Sequence, residues 1–347
     1  MTIDIFNAPT SVIVKGLKGK VVSFIGGNNL GKTYQSTQLE KPLHLSFERS
    51  LAGIGGVKYQ NIQTWADFKK VNKQLTSKST IEKAQEVYST IIFDEVYAAA
   101  QKCQDFVLSK WGAEHMGERV DNAPNFYQEY EKEFFREINK LIGAGYTVVF
   151  IFHTEQDSDG KWQPKGDKRS VKPIIDNTDL ALFLQSNGLD ENGQERLSTA
   201  WTVETDKFFA RSKFKHMPTH LPEFTAEALE KAVKEALEKE ESEGVHVMSY
   251  EEYTETNKED EITFDEIKKL IAQQLKDLTS AILNKNEGST DNQADVEKAK
   301  TEATKILVKS QEDNLGKGRT LKDVTEGNMQ QLDLILEDLK TATKSFK

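Results

Sequence analysis

Cysteine is nearly absent: Cys103 is the single thiol among 347 residues, and neither proline nor tryptophan occurs beyond Pro222. One thiol excludes an intrachain disulfide framework and any four-cysteine zinc site, and it fits a reducing cytoplasm, bacterial or that of a phage-infected cell. No uninterrupted apolar run approaches bilayer length, and the sequence does not open on a basic stretch followed by an apolar one. Neither a membrane nor an export signal is therefore expected. Aromatics thin out where proline does, leaving only Phe224, Tyr250, Tyr253, Phe264 and Phe346 after residue 222.

The net charge of −10 argues at first against a nucleic-acid partner. Its distribution weakens that argument. Residues 223–347 carry 29 acidic and 18 basic side chains, net −11, which leaves +1 for the first 222 residues. The coincident shifts divide the chain into a domain at 1–222, a helix with an acidic linker at 223–262, and an α-helical region at 263–347.

The first part alternates β-rich runs with helical periodicity, the pattern of an α/β domain with a central, mostly parallel sheet. Strands are expected at 21–25, 43–47, 90–93, 146–152, 180–184 and 199–204. An amphipathic helix is expected at 127–142, where Tyr130, Phe134, Ile138 and Leu141 share a face. Further on, 226–243, 264–283, 293–310 and 326–343 read as helices, with 249–261 as an acidic loop. The last three have modest apolar stripes, which leaves a small bundle, pairing with another copy or partial order as alternatives.

Gly26-Gly27-Asn28-Asn29-Leu30-Gly31-Lys32-Thr33 fits G-x-x-x-x-G-K-[ST], with a strand before it and a helix expected from Lys32. Such a loop turns backbone N–H groups toward phosphates; its Lys meets the β- and γ-phosphates and its Thr ligates Mg²⁺. ATP and Mg²⁺ are thus the expected ligands. The strand at 90–93 runs into Asp94, a carboxylate expected on a neighbouring strand to hold the Mg²⁺ shell. Two carboxylates compete to activate water: Glu95, beside Asp94, and Glu48, after the second strand. A surface pair with Arg49 is the plainer role for Glu48.

In motif order, the Gly26–Thr33 loop, Leu45-Ser46-Phe47-Glu48, Ile91-Ile92-Phe93-Asp94-Glu95 and Val148-Val149-Phe150-Ile151-Phe152-His153-Thr154 resemble phage-type RecA-like P-loop ATPases. Phe208-Phe209-Ala210-Arg211-Ser212-Lys213-Phe214 resembles the basic segment after a late strand in that group. The resemblance covers about residues 15–222. It implies a RecA-like ATPase core associated with single-strand annealing and recombination, oligomeric as a ring or filament. It also implies a catalytic Glu at the Glu48 position, a γ-phosphate sensor at His153 where RecA has Gln, and Arg211 or Lys213 reaching a neighbour's nucleotide. An acidic pair such as Asp94-Glu95 is the arrangement of many AAA-type ATPases. A helicase loader or other DNA motor, a nucleotide-regulated scaffold that recruits a single-strand-binding or other replication protein through its helical tail, and a small-molecule kinase are the alternatives.

A mobile DNA loop follows the sensor strand in RecA-like proteins. Here that position holds Lys161, Trp162, Lys165, Lys168, Arg169 and Lys172, punctuated by Gly and Pro. Cations on phosphates with Trp162 stacked on a base would suit single-stranded DNA. An exposed hairpin around Asp159-Gly160 is the competing reading. The segment 110–119, with fewer charges, reads better as a packed loop.

Overall fold

The computed structural model describes residues 6, 8, 10–48, 50–256, 262–286, 288–289 and 292–346. Arg49 and the end of the acidic segment, 257–261, lie outside them. Two compact units form, one spanning 4–257 and the other made chiefly of 258–347.

The larger unit runs β1 (Ile13–Val14), β2 (Val21–Ile25), α1 (Lys32–Ser36), β3 (Pro42–Ser46), β4 (Tyr59–Asn61), α2 (Trp65–Thr76), α3 (Ile81–Val87), β5 (Thr90–Asp94), α4 (Val96–Trp111), α5 (Phe126–Ile142) and β6 (Thr147–Phe152). It continues with β7 (Thr154–Gln156), β8 (Trp162–Pro164), α6 (Lys168–Asn177), β9 (Leu180–Gln185), β10 (Thr199–Trp201), β11 (Arg211–Ser212), β12 (His220–Leu221), α7 (Ala226–Ser242), β13 (Val247–Met248) and α8 (Tyr250–Thr256). Its main sheet has the order β12-β10-β9-β2-β6-β5-β3-β4, with β11 also paired to β9. From β9 to β4 every pair is parallel; β10, β11 and β12 join antiparallel. The mixed α/β class with a parallel-dominated sheet is as expected. The strand expected at 199–204 is shorter, because the chain leaves the sheet after Trp201.

Period-two alternation sends each strand's side chains to two cores. On one face Ile25, Leu45, Phe93, Phe150 and Phe152 pack beneath α2, α4 and α5, around Trp65, Phe68, Tyr130 and Phe134. On the other, Val22, Phe24, Ile92, Val149, Leu180 and Leu182 pack against Leu229, Val233, Ala236 and Leu237 of α7. Those four α7 positions form one helical stripe. Thr225 caps the helix, its hydroxyl accepting from Ala228 N at 3.0 Å, and Gln35 Oε1 accepts from Ala226 N at 2.9 Å.

This packing moves the boundary expected after residue 222. The second face of the sheet would be bare without α7, so the unit continues through it, and β13 returns to pair in parallel with β1. The described part of the acidic linker is not loop: 250–256 is the short helix α8.

The smaller unit holds α9 (Phe264–Lys285), α10 (Gln293–Leu315) and α11 (Met329–Ser345). They bury Ile267, Ile271, Leu278, Ile282, Ala299, Leu332, Ile335 and Leu339 in a core of their own. Of the alternatives raised by the modest stripes, the bundle is the one formed. Thr263 and Glu266 close a capping box at its first helix. No helix among the described residues is long and apolar enough to cross a membrane.

Candidate functional site: a phosphate-binding loop beside a carboxylate–imidazole cluster

The buried strand β2 delivers the chain to the loop 26–31 at its C-terminal end. Gly26 is hemmed in: a Cβ there would meet Leu30 Cδ1 at 2.9 Å and Leu184 Cβ at 3.1 Å. Gly31 has φ +80°, a left-handed turn that glycine adopts without strain. The expected helix begins at Lys32 but lasts only five residues, so the loop's own N–H groups, rather than a long helix dipole, make the anion cradle.

Lys32 is 6% exposed and its ammonium donates to Gly26 O at 2.9 Å and to Gly27 O. Burial lowers its pKa to about 8, against the opposing charges of Asp94, Glu48 and Glu95. A buried cation held, among the described residues, by loop carbonyls alone has donors to turn toward phosphate oxygens, so the residues fit ATP.

Asp94 is not on the strand beside β2: β6 lies between them. The α1 helix bridges the gap, and Thr33 Oγ1 donates to Asp94 Oδ2 at 2.8 Å. This hydroxyl–carboxylate pair is a donor set suited to Mg²⁺. The same Oδ2 lies 3.0 Å from Nε2 of His44, a fully buried residue of β3 whose Nδ1 has no partner among the described residues. Burial pushes Asp94 up, but hydrogen bonding and charge from His44, then the Thr33 hydroxyl, hold it below the ordinary carboxylate value. Sequence reasoning missed His44. The available signal was a histidine alternating with leucines in Pro42-Leu43-His44-Leu45-Ser46; what it faces depends on pairing with β5, where His44 sits opposite Ile92 and Ser46 opposite Asp94.

The two carboxylates that competed for water and the sensor histidine converge. Ligand atoms of Glu48, Glu95 and His153 all lie within 4.8 Å of one another, with His153 Nε2 3.7 Å from Glu48 Oε1. Two carboxylates and an imidazole could also hold a divalent ion. Their commitments differ. Glu95 is buried and caps α4, accepting from Ala98 N at 2.9 Å and Tyr97 N at 3.2 Å; burial raises its pKa despite those bonds. Glu48's side chain is 40% exposed and accepts from no backbone amide among the described residues. A cavity of about 510 Å³ opens over the cluster, lined also by Gly27, Asn28, Tyr97, Gln101, Thr154 and Lys165.

The remaining site residues scatter. The segment expected as a mobile DNA loop forms a hairpin, β7–β8, the competing reading of the sequence, followed by α6. Lys161 pairs with Glu204; Trp162 is 40% exposed on β8; Lys168 and Lys172 are exposed one turn apart on α6. Arg169 is held by Asp167 at 3.3 Å and lies over the Tyr127 ring. Lys165 instead lines the cavity over Glu48, Glu95 and His153. Arg211 donates to Ile175 O at 3.3 Å and Lys213 pairs with Asp179 at 3.0 Å. Because Asp179 precedes β9 and also accepts from Val21 N, Lys213 sits at the end of the sheet opposite the phosphate loop of its own chain. Trp111, in the segment read as packed loop, rests against the first core.

Residues 18–214 match the AAA domain family. The whole chain is similar to the SPbeta prophage-derived uncharacterized protein YorG of Bacillus subtilis (strain 168), at 44% identity over 341 residues, covering 98% of each chain. With its glycine-rich loop, lysine, threonine and strand-end aspartate in register, the chain belongs to the AAA-domain family of P-loop ATPases, in the company of a prophage-derived relative.

Proposed function

We propose that this protein binds ATP with Mg²⁺ at Gly26–Thr33, hydrolyses it, and assembles as a RecA-like oligomer on single-stranded DNA in the cytoplasm to promote annealing or recombination. The observation that carries the hydrolysis is the Glu48–Glu95–His153 cluster on a cavity that Gly27 and Asn28 of the phosphate loop also line, with the Thr33–Asp94 pair directly after that loop. Bound Mg²⁺ supplies charge neutralisation across the phosphates. Lys32 turns from the loop carbonyls to the phosphate oxygens, and Thr33 and Asp94 hold the metal. Glu48, which caps no helix among the described residues, takes a proton from a water as its oxygen attacks the γ-phosphorus; the bond to the β–γ bridging oxygen breaks, leaving ADP and phosphate. His153 orients Glu48, while Glu95 holds the start of α4.

Support for DNA is the half-exposed Trp162 on a hairpin that starts one residue after His153, with Lys168 and Lys172 exposed on the following helix. Lys213, at the end of the sheet away from its own loop, and Arg211 on β11 are the cations offered to a neighbouring copy's nucleotide. A scaffold reading is favoured by one observation: the helices at 264–345 have a core independent of the sheet, a docking module for a replication protein. Binding of labelled single-stranded DNA with Mg²⁺ and the β,γ-imido analogue of ATP tests the proposal. Salt-sensitive binding that requires the nucleotide supports it; no binding in any nucleotide state refutes the DNA role.

A further inference from the structure

The hairpin β7–β8 has both ends in the nucleotide cavity. Its first strand begins at Thr154, directly after His153, and its second ends at Pro164, directly before Lys165. Lys165 N donates to His153 O at 2.8 Å, which closes the base. The Lys165 side chain lines the cavity with Gly27, Asn28, Glu48 and Glu95, its ammonium 4.4 Å from the centre of the Tyr97 ring. It has no carboxylate within ion-pair distance among the described residues, and the ring offers no hydrogen-bond acceptor to its three donors. Every other lysine or arginine of the basic stretch either faces solvent or is paired with an acid.

We propose that Lys165 is a phosphate-binding residue rather than a DNA contact, a second cation supplied by the same chain to the terminal phosphate, and that its engagement moves the hairpin carrying Trp162. The inference rests on the reading of Gly26–Thr33 as an ATP site. Lys32 meets the phosphates from the loop; the terminal phosphate brings further charge that one buried ammonium leaves unbalanced, and Lys165 stands on the cavity wall beside Gly27 and Asn28 of that loop. ADP lacks that phosphate, so Lys165 discriminates ATP from ADP. Displacement at the hairpin base passes to Trp162, three residues away, and through it to 207–209: Trp162 N donates to Lys207 O at 2.8 Å and Phe209 N to Trp162 O at 2.9 Å. The hairpin thus ties nucleotide state to an exposed aromatic surface.

The test is equilibrium binding of the β,γ-imido analogue of ATP and of ADP, each with Mg²⁺, to the full chain and to K165M, K165Q and K165R. Loss of a charged hydrogen bond predicts weaker analogue binding in K165M by about tenfold or more, with ADP changed by less than about twofold and partial recovery in K165R. The analogue, but not ADP, should change tryptophan fluorescence in the native chain, and the change should disappear in K165M and in W162F. K165Q, which also lacks the charge, replaces K165M in every arm should K165M not fold. Equal weakening for both nucleotides, or none for either, overturns the role of Lys165 while leaving the ATP site intact. Failure of the native chain to bind either nucleotide overturns both readings.

Discussion

His44 and Thr33 place two donors on one oxygen of Asp94, and a buried carboxylate keeps its charge only with such support. Replacing His44 with Ala removes a charge-assisted hydrogen bond and leaves a void, so unfolding by urea should show a loss of about 1.5–3 kcal/mol. His44→Gln, which keeps a donor near the Nε2 position, should recover part of that loss. Glu48 and Glu95 should separate by assay. Glu48→Gln should cut turnover by about a hundredfold or more while nucleotide binding persists; Glu95→Ala, which uncaps α4, should cost about 0.5–2 kcal/mol of stability. Apolar strands and the glycine loop are local patterns and were legible in the chain. The Asp94–His44 contact was not, because it depends on which strands become neighbours, and no string of residues states that β6 inserts between β2 and β5.

Helix α7 shows the same limit at the level of an element. Its charges made it look like part of an acidic appendage, yet the face that decides its place is the stripe Leu229, Val233, Ala236 and Leu237, all buried against the sheet. Leu229→Ala, at a fully buried position, should destabilise the larger unit by about 2–5 kcal/mol, read as a lowered denaturation midpoint. At the foot of the same sheet, Lys20 donates to Val14 O at 2.5 Å, and burial lowers its ammonium to about 8 from 10.5, with Asp179 opposing. The charged form is thus disfavoured by folding. Below pH about 8 the penalty is full; between about 8 and 10.5 the unfolded chain binds more protons, and stability rises with pH. Lys20→Met escapes the penalty, so the stability of wild type relative to this variant should improve across that window. A constant difference from pH 7 to 10 would contradict the account.

Across the whole molecule the charge boundary and the structural boundary differ. Residues 223–257, which belong to the sheet unit, carry 11 acidic and 3 basic side chains, while 258–347 carry 18 and 15. The acidic surplus therefore sits mostly on the last part of the sheet unit, shared among α7, α8 and the residues beside them, and the separate bundle is closer to neutral. That shift weakens any picture of the bundle as an acidic decoy for basic partners and leaves its apolar core and its independence as its defining traits. The compositional change at 222 was real but reported acidic side chains on α7, α8 and their flanks, not the end of a unit. Steady-state phosphate release from ATP with Mg²⁺, measured for wild type and Glu48→Gln with and without single-stranded DNA, tests the central claim most directly. The expected result is turnover in the wild type that single-stranded DNA stimulates in a salt-sensitive way, and near-complete loss of it in Glu48→Gln. Equal rates in the two proteins, or no phosphate release under any condition, would contradict it.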